Sequence, residues 1–219
     1  MSSAAERRQK ILDRIARAAA VAKRDPAGVQ LIAVSKGRPV EEIEPLVAAG
    51  QRDFGENRVQ EAIAKWPALL ARYPEVRLHG IGRLQSNKAG DALKLFDAIH
   101  SLDRRSLLNA LAKESAKAGK TPHVYIQVNI GEEDQKGGCP IDEVGELVKA
   151  VRSSPLPLAG LMAIPPLGLE AAPFFALLAK IARRHDVAGL SIGMSADFEA
   201  AVMLGATAVR IGTALFEDE

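Results

Sequence analysis

The sequence predicts a single-domain (β/α)8 TIM barrel with an extra N-terminal helix. Three observations predict it. Short apolar runs alternate eight times with longer stretches of helical period. The runs at 31–34 and 158–162 carry no polar residue, as suits parallel strands buried on both faces. No linker divides the 219 residues, a length that suits one barrel. A doubly wound sheet needs fewer strands and a phosphate loop after the first. Gly37 is the only glycine there, so that alternative is weaker.

Residues 4–24 read as a helix, with Ile11, Leu12, Ile15, Ala18 and Ala19 on one face and Asp25-Pro26-Ala27-Gly28 as its stop. Strand one is 31–35. A helix over 41–49 ends at Gly50, although Pro45 removes an internal N–H unless it lies in the first turn. Strand two is 51–54. The helix over 57–72 carries Val59, Ile63 and Trp66, and Pro67 must break or kink it. Strand three is 77–81, a short helix lies near 86–94, and strand four is 98–101. Asp103 then caps a helix that runs to Gly119 and turns Leu107, Leu108 and Leu111 inward. Strand five, 123–130, is the clearest in the chain, and the loop 131–140 after it is Gly-rich and charged. Helix 142–152 places Val144, Leu147, Val148 and Val151 at i, i+3, i+4 and i+7. Strand six is 158–162, followed by a proline-rich loop over 164–173. Phe174, Leu177, Leu178 and Ile181 mark the next helix. Strand seven is 189–192, a helix over 196–204 ends at Gly205, and strand eight is 207–211.

The composition, 47% hydrophobic and 26% charged, is that of an ordinary globular protein. A net charge of +2 is too small to argue for a nucleic-acid or membrane surface, and 4% aromatic residues leave little for base stacking. The single cysteine, Cys139, excludes an internal disulfide and points to a reducing compartment. The N-terminus lacks the apolar core of a secretion signal, and no apolar run approaches the roughly 18 residues of a bilayer span. A cytoplasmic protein without metal is expected. It is expected to be a monomer, because no apolar face is left over.

One pairing points to chemistry. Lys36 ends the first strand, in Leu31-Ile-Ala-Val-Ser-Lys36, and Arg210-Ile-Gly-Thr213 follows the last. Barrel closure makes those strands neighbours. An amine beside a glycine turn suits an aldehyde that carries a phosphate, such as pyridoxal 5′-phosphate held as a Schiff base.

The strand ends also carry a resemblance. Val34-Ser-Lys36, Phe54-Gly-Glu-Asn57 with Val59-Gln-Glu61, and His79-Gly-Ile-Gly-Arg-Leu-Gln-Ser-Asn-Lys88 resemble the pyridoxal-phosphate homeostasis proteins. So do Gln127-Val-Asn-Ile130 with Lys136, Leu161-Met-Ala-Ile-Pro165, Ser191-Ile-Gly-Met-Ser195 with Asp197, and Arg210-Ile-Gly-Thr213. The motifs run in order from about residue 30 to 216. The resemblance implies a barrel similar to the N-terminal domain of bacterial alanine racemase. It implies bound pyridoxal phosphate, no firmly established turnover, and a part in vitamin B6 and amino-acid homeostasis. The chain departs from the pattern at Leu78, where an aromatic is usual, and its loop after Pro165 and its C-terminal end look short.

Lys36 is then the Schiff-base lysine, with partial burial near other cations lowering its pKa; a solvated strand-end lysine is the plainer alternative. Ser195, Gly212 and Thr213 hold the phosphate, with Gly193 and Met194 lining the same loop, because barrels bind phosphate after strands seven and eight. Ser195 is equally placed as a helix N-cap, and Gly212 as a turn. Arg210 meets the pyridine nitrogen, or forms a surface ion pair. A guanidinium there cannot readily protonate the ring, which argues against transamination and decarboxylation. Asn57 bonds the phenolic oxygen, or caps a helix. His79 and Asn129 face the barrel interior or pack in the core. Glu56 and Arg58 read as rim charges, and Lys88 and Lys136 as solvated loop lysines.

Three functions compete. A carrier shields the aldehyde and releases it to apo forms of cofactor-dependent enzymes; a barrel that uses the whole chain leaves no second domain over the cofactor. An amino-acid racemase needs a second acid/base opposite Lys36, and the candidates are Tyr73, Tyr125 and Cys139, of which only Cys139 lies on the correct rim. A cofactor-free Schiff-base aldolase is the third, and would be colourless. The residues favour the carrier, without turnover.

Overall fold

The computed structural model describes residues 2–217. Eight parallel strands close into one barrel in the order β1 to β8, each beside its sequence neighbour and β8 beside β1. The strands are β1 (Gln30–Val34), β2 (Asp53–Glu56), β3 (Arg77–Gly80), β4 (Ala98–Leu102), β5 (His123–Gln127), β6 (Leu158–Met162), β7 (Leu190–Ser191) and β8 (Ala208–Ile211). The helices are α1 (Ala4–Val21), α2 (Val40–Ala48), α3 (Val59–Arg72), α4 (Ala89–Leu95), α5 (Arg105–Ala118), α6 (Val144–Arg152), α7 (Ala172–Arg184), α8 (Phe198–Met203) and α9 (Thr213–Phe216). Two single 3-10 turns, Pro26–Gly28 and Ser86–Lys88, precede β1 and α4.

The extra helix starts where its chemistry allows. Ser3 Oγ accepts from the Glu6 N–H, and Glu6 reaches back to the Ser3 N–H, so two otherwise unpaired donors are satisfied. Its face of Ile11, Ile15, Ala18 and Ala19 is buried. It packs against α2, α8 and α9. Between barrel and helices lies one continuous core that includes Trp66, Phe54, Phe175 and Phe198. Each fully buried side chain of that size contributes about 1.5–3 kcal/mol of transfer free energy. No helix among the described residues is long and apolar enough to cross a membrane.

Several elements differ from expectation. Strand two lies two residues later, over Asp53–Glu56, and all four residues are buried. The hydrophobic run alone does not mark it, because the strand carries two carboxylates that are paired inside the fold. Neither Pro45 nor Pro67 ends its helix. Each proline deprives the carbonyl four residues earlier, and those belong to Glu41 and Ile63, which lie on the exposed side of their helices within reach of water. Asp103 does not cap α5; Arg104 takes the N-cap position, and the Asp103 carboxylate pairs with the Arg104 guanidinium instead. The far end of α5 does close on Gly119, in the left-handed conformation at φ +65°. The short helix α9 has no counterpart in the sequence reading.

Candidate functional site

Register brings the two ends of the chain's barrel together. Ile32 pairs with Arg210 and Ala33 with Ile211. One step further, a Cβ placed on Gly212 would lie 3.8 Å from Val34 Cβ and 3.9 Å from its carbonyl oxygen. Lys36 is two residues beyond Val34, no more than about 8 Å along the chain. The Arg210 N–H donates to the Gly193 carbonyl at 3.0 Å, which sets the loop after β7 beside the end of β8. The loops after β1, β7 and β8 therefore share the C-terminal rim, where barrels place their chemistry.

These loops hold spare donors. Among the described residues, the backbone N–H groups of Ser195, Ala196, Gly212, Thr213 and Ala214 have no protein acceptor. Ser195 is half-buried, Thr213 is exposed, and neither hydroxyl is spent within the protein. Ser195 is not the helix cap the sequence allowed. Asp197 takes that position, and its Oδ1 accepts from the Met194 N–H at 2.6 Å. The Met194 N–H is thus already committed, and its side chain is exposed at the rim. Gly193 has φ +92°, and a Cβ there would come within 2.6 Å of Ala201 Cβ and 2.9 Å of Phe198 Cα. Only glycine lets this loop lie so close to α8. Unspent N–H groups and hydroxyls on two adjacent loops are a donor set for an anion.

Arg210 is no surface residue. It is 4% exposed, and Nη1 donates to both the carbonyl and the hydroxyl of Ser191 at 2.7 Å, while Nη2 donates to the Ala163 carbonyl at 3.2 Å. Behind it a polar chain crosses the barrel. Ser191 Oγ lies 2.8 Å from His100 Nδ1, His100 Nε2 lies 3.0 Å from His79 Nδ1, and His79 Nε2 lies 3.0 Å from Asp53 Oδ1. The two ends fix its direction, since a guanidinium only donates and a carboxylate only accepts. Ser191 Oγ therefore accepts from Arg210 and has its own proton for His100, and His79 Nε2 donates to Asp53.

The pKa directions agree. Burial, then His79, then Arg210 hold His100 well below the ordinary imidazole value. Burial lowers Arg210 to about 10, partly opposed by Asp197, which leaves it charged near neutrality. Burial would raise Asp53, but the bonds from His79 and Arg77 outweigh it and hold the carboxyl below its usual range. Tyr125 stacks on His100 at 4.1 Å between ring centroids.

A second cluster braces the segment that carries Lys36. Glu56 is fully buried, not the rim charge its place in the sequence suggests. Its Oε1 accepts from Ser35 Oγ at 2.7 Å and Trp66 Nε1 at 2.9 Å, and pairs with Lys65 Nζ at 2.8 Å. Lys65 also donates to the carbonyls of Ser35 and Arg38, at 2.8 and 3.2 Å. The Gly37 N–H donates to Glu61 Oε1 at 2.6 Å. Both neighbours of Lys36 are thus held by side chains of α3 and β2. Lys36 itself is exposed, not partly buried as the sequence reading had it.

The remaining candidates separate. Asn57 is exposed and does not cap α3, whose N-cap position is Arg58. Arg58 is exposed, and Lys88 is half-buried at the end of the second 3-10 turn. His79 faces the interior, as one of its two readings had it. Asn129 spends its amide on Glu133 backbone, shaping the loop after β5. Lys136 is not freely solvated: it donates to the Pro165 carbonyl at 3.0 Å and pairs with Glu133 at 2.6 Å, tying that loop to the one after β6. Cys139 is buried, and burial, then Glu143 and Asp103, push its thiol up to about 12. Tyr73 ends α3, and Tyr125 lies inside the barrel with its phenol pushed up by burial and then Asp53. Among the described residues no group of three or more His, Cys, Asp or Glu is placed to hold a metal ion.

Sequence reasoning missed His100, Ser191 as a bonded residue, Lys65 and Trp66. His100 did carry a signal: a polar residue inside the apolar run 98–101 needs a buried partner.

Comparison with known proteins adds kinship. A family model described as the alanine racemase N-terminal domain matches residues 4–219. A pyridoxal phosphate homeostasis protein of Pseudomonas aeruginosa is 44% identical, covering 99% of this chain and 96% of the relative. The protein of the same name from Escherichia coli K12 is 37% identical, covering 99% and 97%. Among solved structures, PipY of Synechococcus elongatus with PLP bound superposes with a TM-score of 0.79 at 40% identity, covering 92% of this chain and 99% of that one. An alanine racemase of Clostridium difficile superposes with a TM-score of 0.73 at 14% identity, over 56% of its own length, which speaks for the fold alone.

Proposed function

The chain belongs to the pyridoxal phosphate homeostasis proteins of the alanine racemase N-terminal-domain family, and from that premise we propose that it binds pyridoxal 5′-phosphate through Lys36 and serves as a carrier. One observation carries the reading. The exposed amine-bearing end of β1 meets, on one rim, two loops on which the N–H groups of Ser195, Ala196, Gly212, Thr213 and Ala214 have no protein acceptor among the described residues. The cofactor supplies an aldehyde for the amine and a phosphate for those donors.

Each residue then has a task. Lys36 supplies the amine of a Schiff base. Ser195, Thr213 and the backbone at Gly212 hold the phosphate, with Met194 at the edge of the same loop. Arg210 would hold the ring nitrogen, with its guanidinium immobilised by Ser191 and the Ala163 carbonyl. Such a group holds the ring without giving up a proton, which suits storage. Asn57 follows β2 and would bond the phenolic side of the ring.

Storage is favoured over racemisation by a specific observation. Of the acid/base candidates, the buried Cys139 thiol stays protonated near neutrality, and Tyr125 is enclosed in the barrel beside His100. The carrier reading extends to delivery to apo-enzymes, a cytoplasmic setting and a monomeric state. The experiment is an absorbance scan of the protein mixed with pyridoxal phosphate. A band at the visible edge of the ultraviolet is expected for wild type. Lys36→Ala should lose that band yet retain weaker binding through the phosphate. Rapid conversion of L-alanine to D-alanine would displace the carrier reading.

A further inference from the structure

The opposite mouth of the barrel carries a site that the cofactor does not need. Around the N-terminal ends of the first strands lies a cavity of about 470 Å³. Arg8, Arg52 and Arg77 line it, and Asp53 is its one acidic lining residue. The lining charge is therefore three positive against one negative. Asp53 is already taken, by Arg77 Nη2 at 2.8 Å and by His79 at 3.0 Å.

The arginines are left with donors to spare. Arg8 Nε is bonded to Gln51 Oε1 at 3.1 Å, and among the described residues no carboxylate lies within ion-pair distance of its guanidinium. Gln51 is in turn fixed by its own bonds to the carbonyls of Leu31 and Asp53, both 2.7 Å, so Arg8 rests on a rigid acceptor. Arg52 Nη1 donates to the Val47 and Gln51 carbonyls, and its Nη2 meets Glu75 only at 3.6 Å. Arg8 and Arg52 repel each other: burial and then the Arg52 charge both lower Arg8. A cleft that gathers three guanidinium groups around one carboxylate, and leaves Arg8 without a carboxylate partner among the described residues, is complementary to an anion. Guanidinium forks match phosphate and carboxylate oxygens in pairs. The walls add only small apolar contacts such as Leu12 and Val29, with no aromatic face.

We infer that this mouth is a second anion site, built from Arg8, Arg52 and Arg77 to take a small phosphate-bearing compound, on the side of the barrel away from Lys36. It goes beyond the cofactor reading, and its test is arranged so that the two fail separately. The full chain is first saturated with pyridoxal phosphate, so that the donors after β7 and β8 are occupied. Inorganic phosphate is then titrated against chloride of equal ionic strength while the melting temperature and the heat of binding are followed. A saturable rise of about 3–6 °C at ten times the dissociation constant is expected, with one phosphate per chain. Arg8→Gln and Arg52→Gln, made singly, should each weaken phosphate binding at least about tenfold by calorimetry and leave the cofactor's absorbance band unchanged. No saturable effect beyond chloride would overturn the site. So would equal phosphate affinity in both folded variants.

Discussion

At the scale of single residues, the structure rests its chemistry on partners that the substrate side never touches. Ser191 is the clearest. It accepts from Arg210 and donates to His100, so Ser191→Ala leaves a buried donor and a buried acceptor each short of a partner. A loss of about 1–3 kcal/mol is expected in urea unfolding, together with weaker cofactor binding as Arg210 loses its one side-chain anchor and keeps only the Ser191 and Ala163 carbonyls. Glu56 predicts a larger effect. Removing one member of a buried pair strands the other, and Lys65 is 9% exposed. Glu56→Ala should cost about 3–5 kcal/mol in the same measurement and loosen the backbone around Lys36. A cost below 1 kcal/mol would show that the Ser35–Glu56–Lys65 cluster does not brace that segment. Lys36 and Arg210 were legible in the sequence because each stands at the end of an apolar run. Their supports were not, since His100, Ser191 and Glu56 come from strands far apart in the chain.

At the scale of elements, the loop after β7 is shaped by α8. Gly193 gives it a backbone conformation and a closeness to Phe198 that a side chain would forbid. Gly193→Ala should push the loop away from α8, weakening affinity for the cofactor at least about tenfold while leaving the attachment residue unchanged; an equilibrium titration checks it. Most elements could be located from periodicity, because the strands are apolar and the helices carry one apolar face. The failures share a cause. Strand two hides its register behind Asp53 and Glu56, whose charges are neutralised only by partners on other elements. The expected caps at Asp103 and Ser195 were outcompeted by an ion pair in one case and by Asp197 in the other. Pro67 stays within a helix because Trp66 and Leu69 bury on either side of it.

At the scale of the whole molecule, closure is what turns these parts into a site. The order β1 to β8 with β8 against β1 brings residues 36 and 210–213 onto one rim, and the same closure encloses the chain from Arg210 to Asp53. That enclosure has a pH signature. His100 is kept neutral in the fold by burial, by His79 and by Arg210, with Tyr125 stacked on it. Its folded pKa lies below its unfolded value of about 6.5, so below that pH the unfolded chain binds a proton that the folded chain refuses. Stability is therefore full above about pH 6.5 and falls as the medium is acidified, by up to roughly 1.4 kcal/mol per pH unit from this group. Melting temperatures between pH 5 and 8 should show that decline, and His100→Gln should flatten it. The barrel itself was legible in the sequence, since eight alternations admit few other closures. The polar chain through its centre was not, because nothing in one strand announces its bond to the next.

The central claim is that the amine of Lys36 and the anion cradle of Gly212 and Thr213 hold one cofactor between them. Borohydride reduction of the protein loaded with pyridoxal phosphate, followed by peptide mass mapping, tests it most directly. A single modified peptide carrying the reduced cofactor on Lys36 is predicted. Principal modification at Lys88, Lys136 or any other lysine would contradict it.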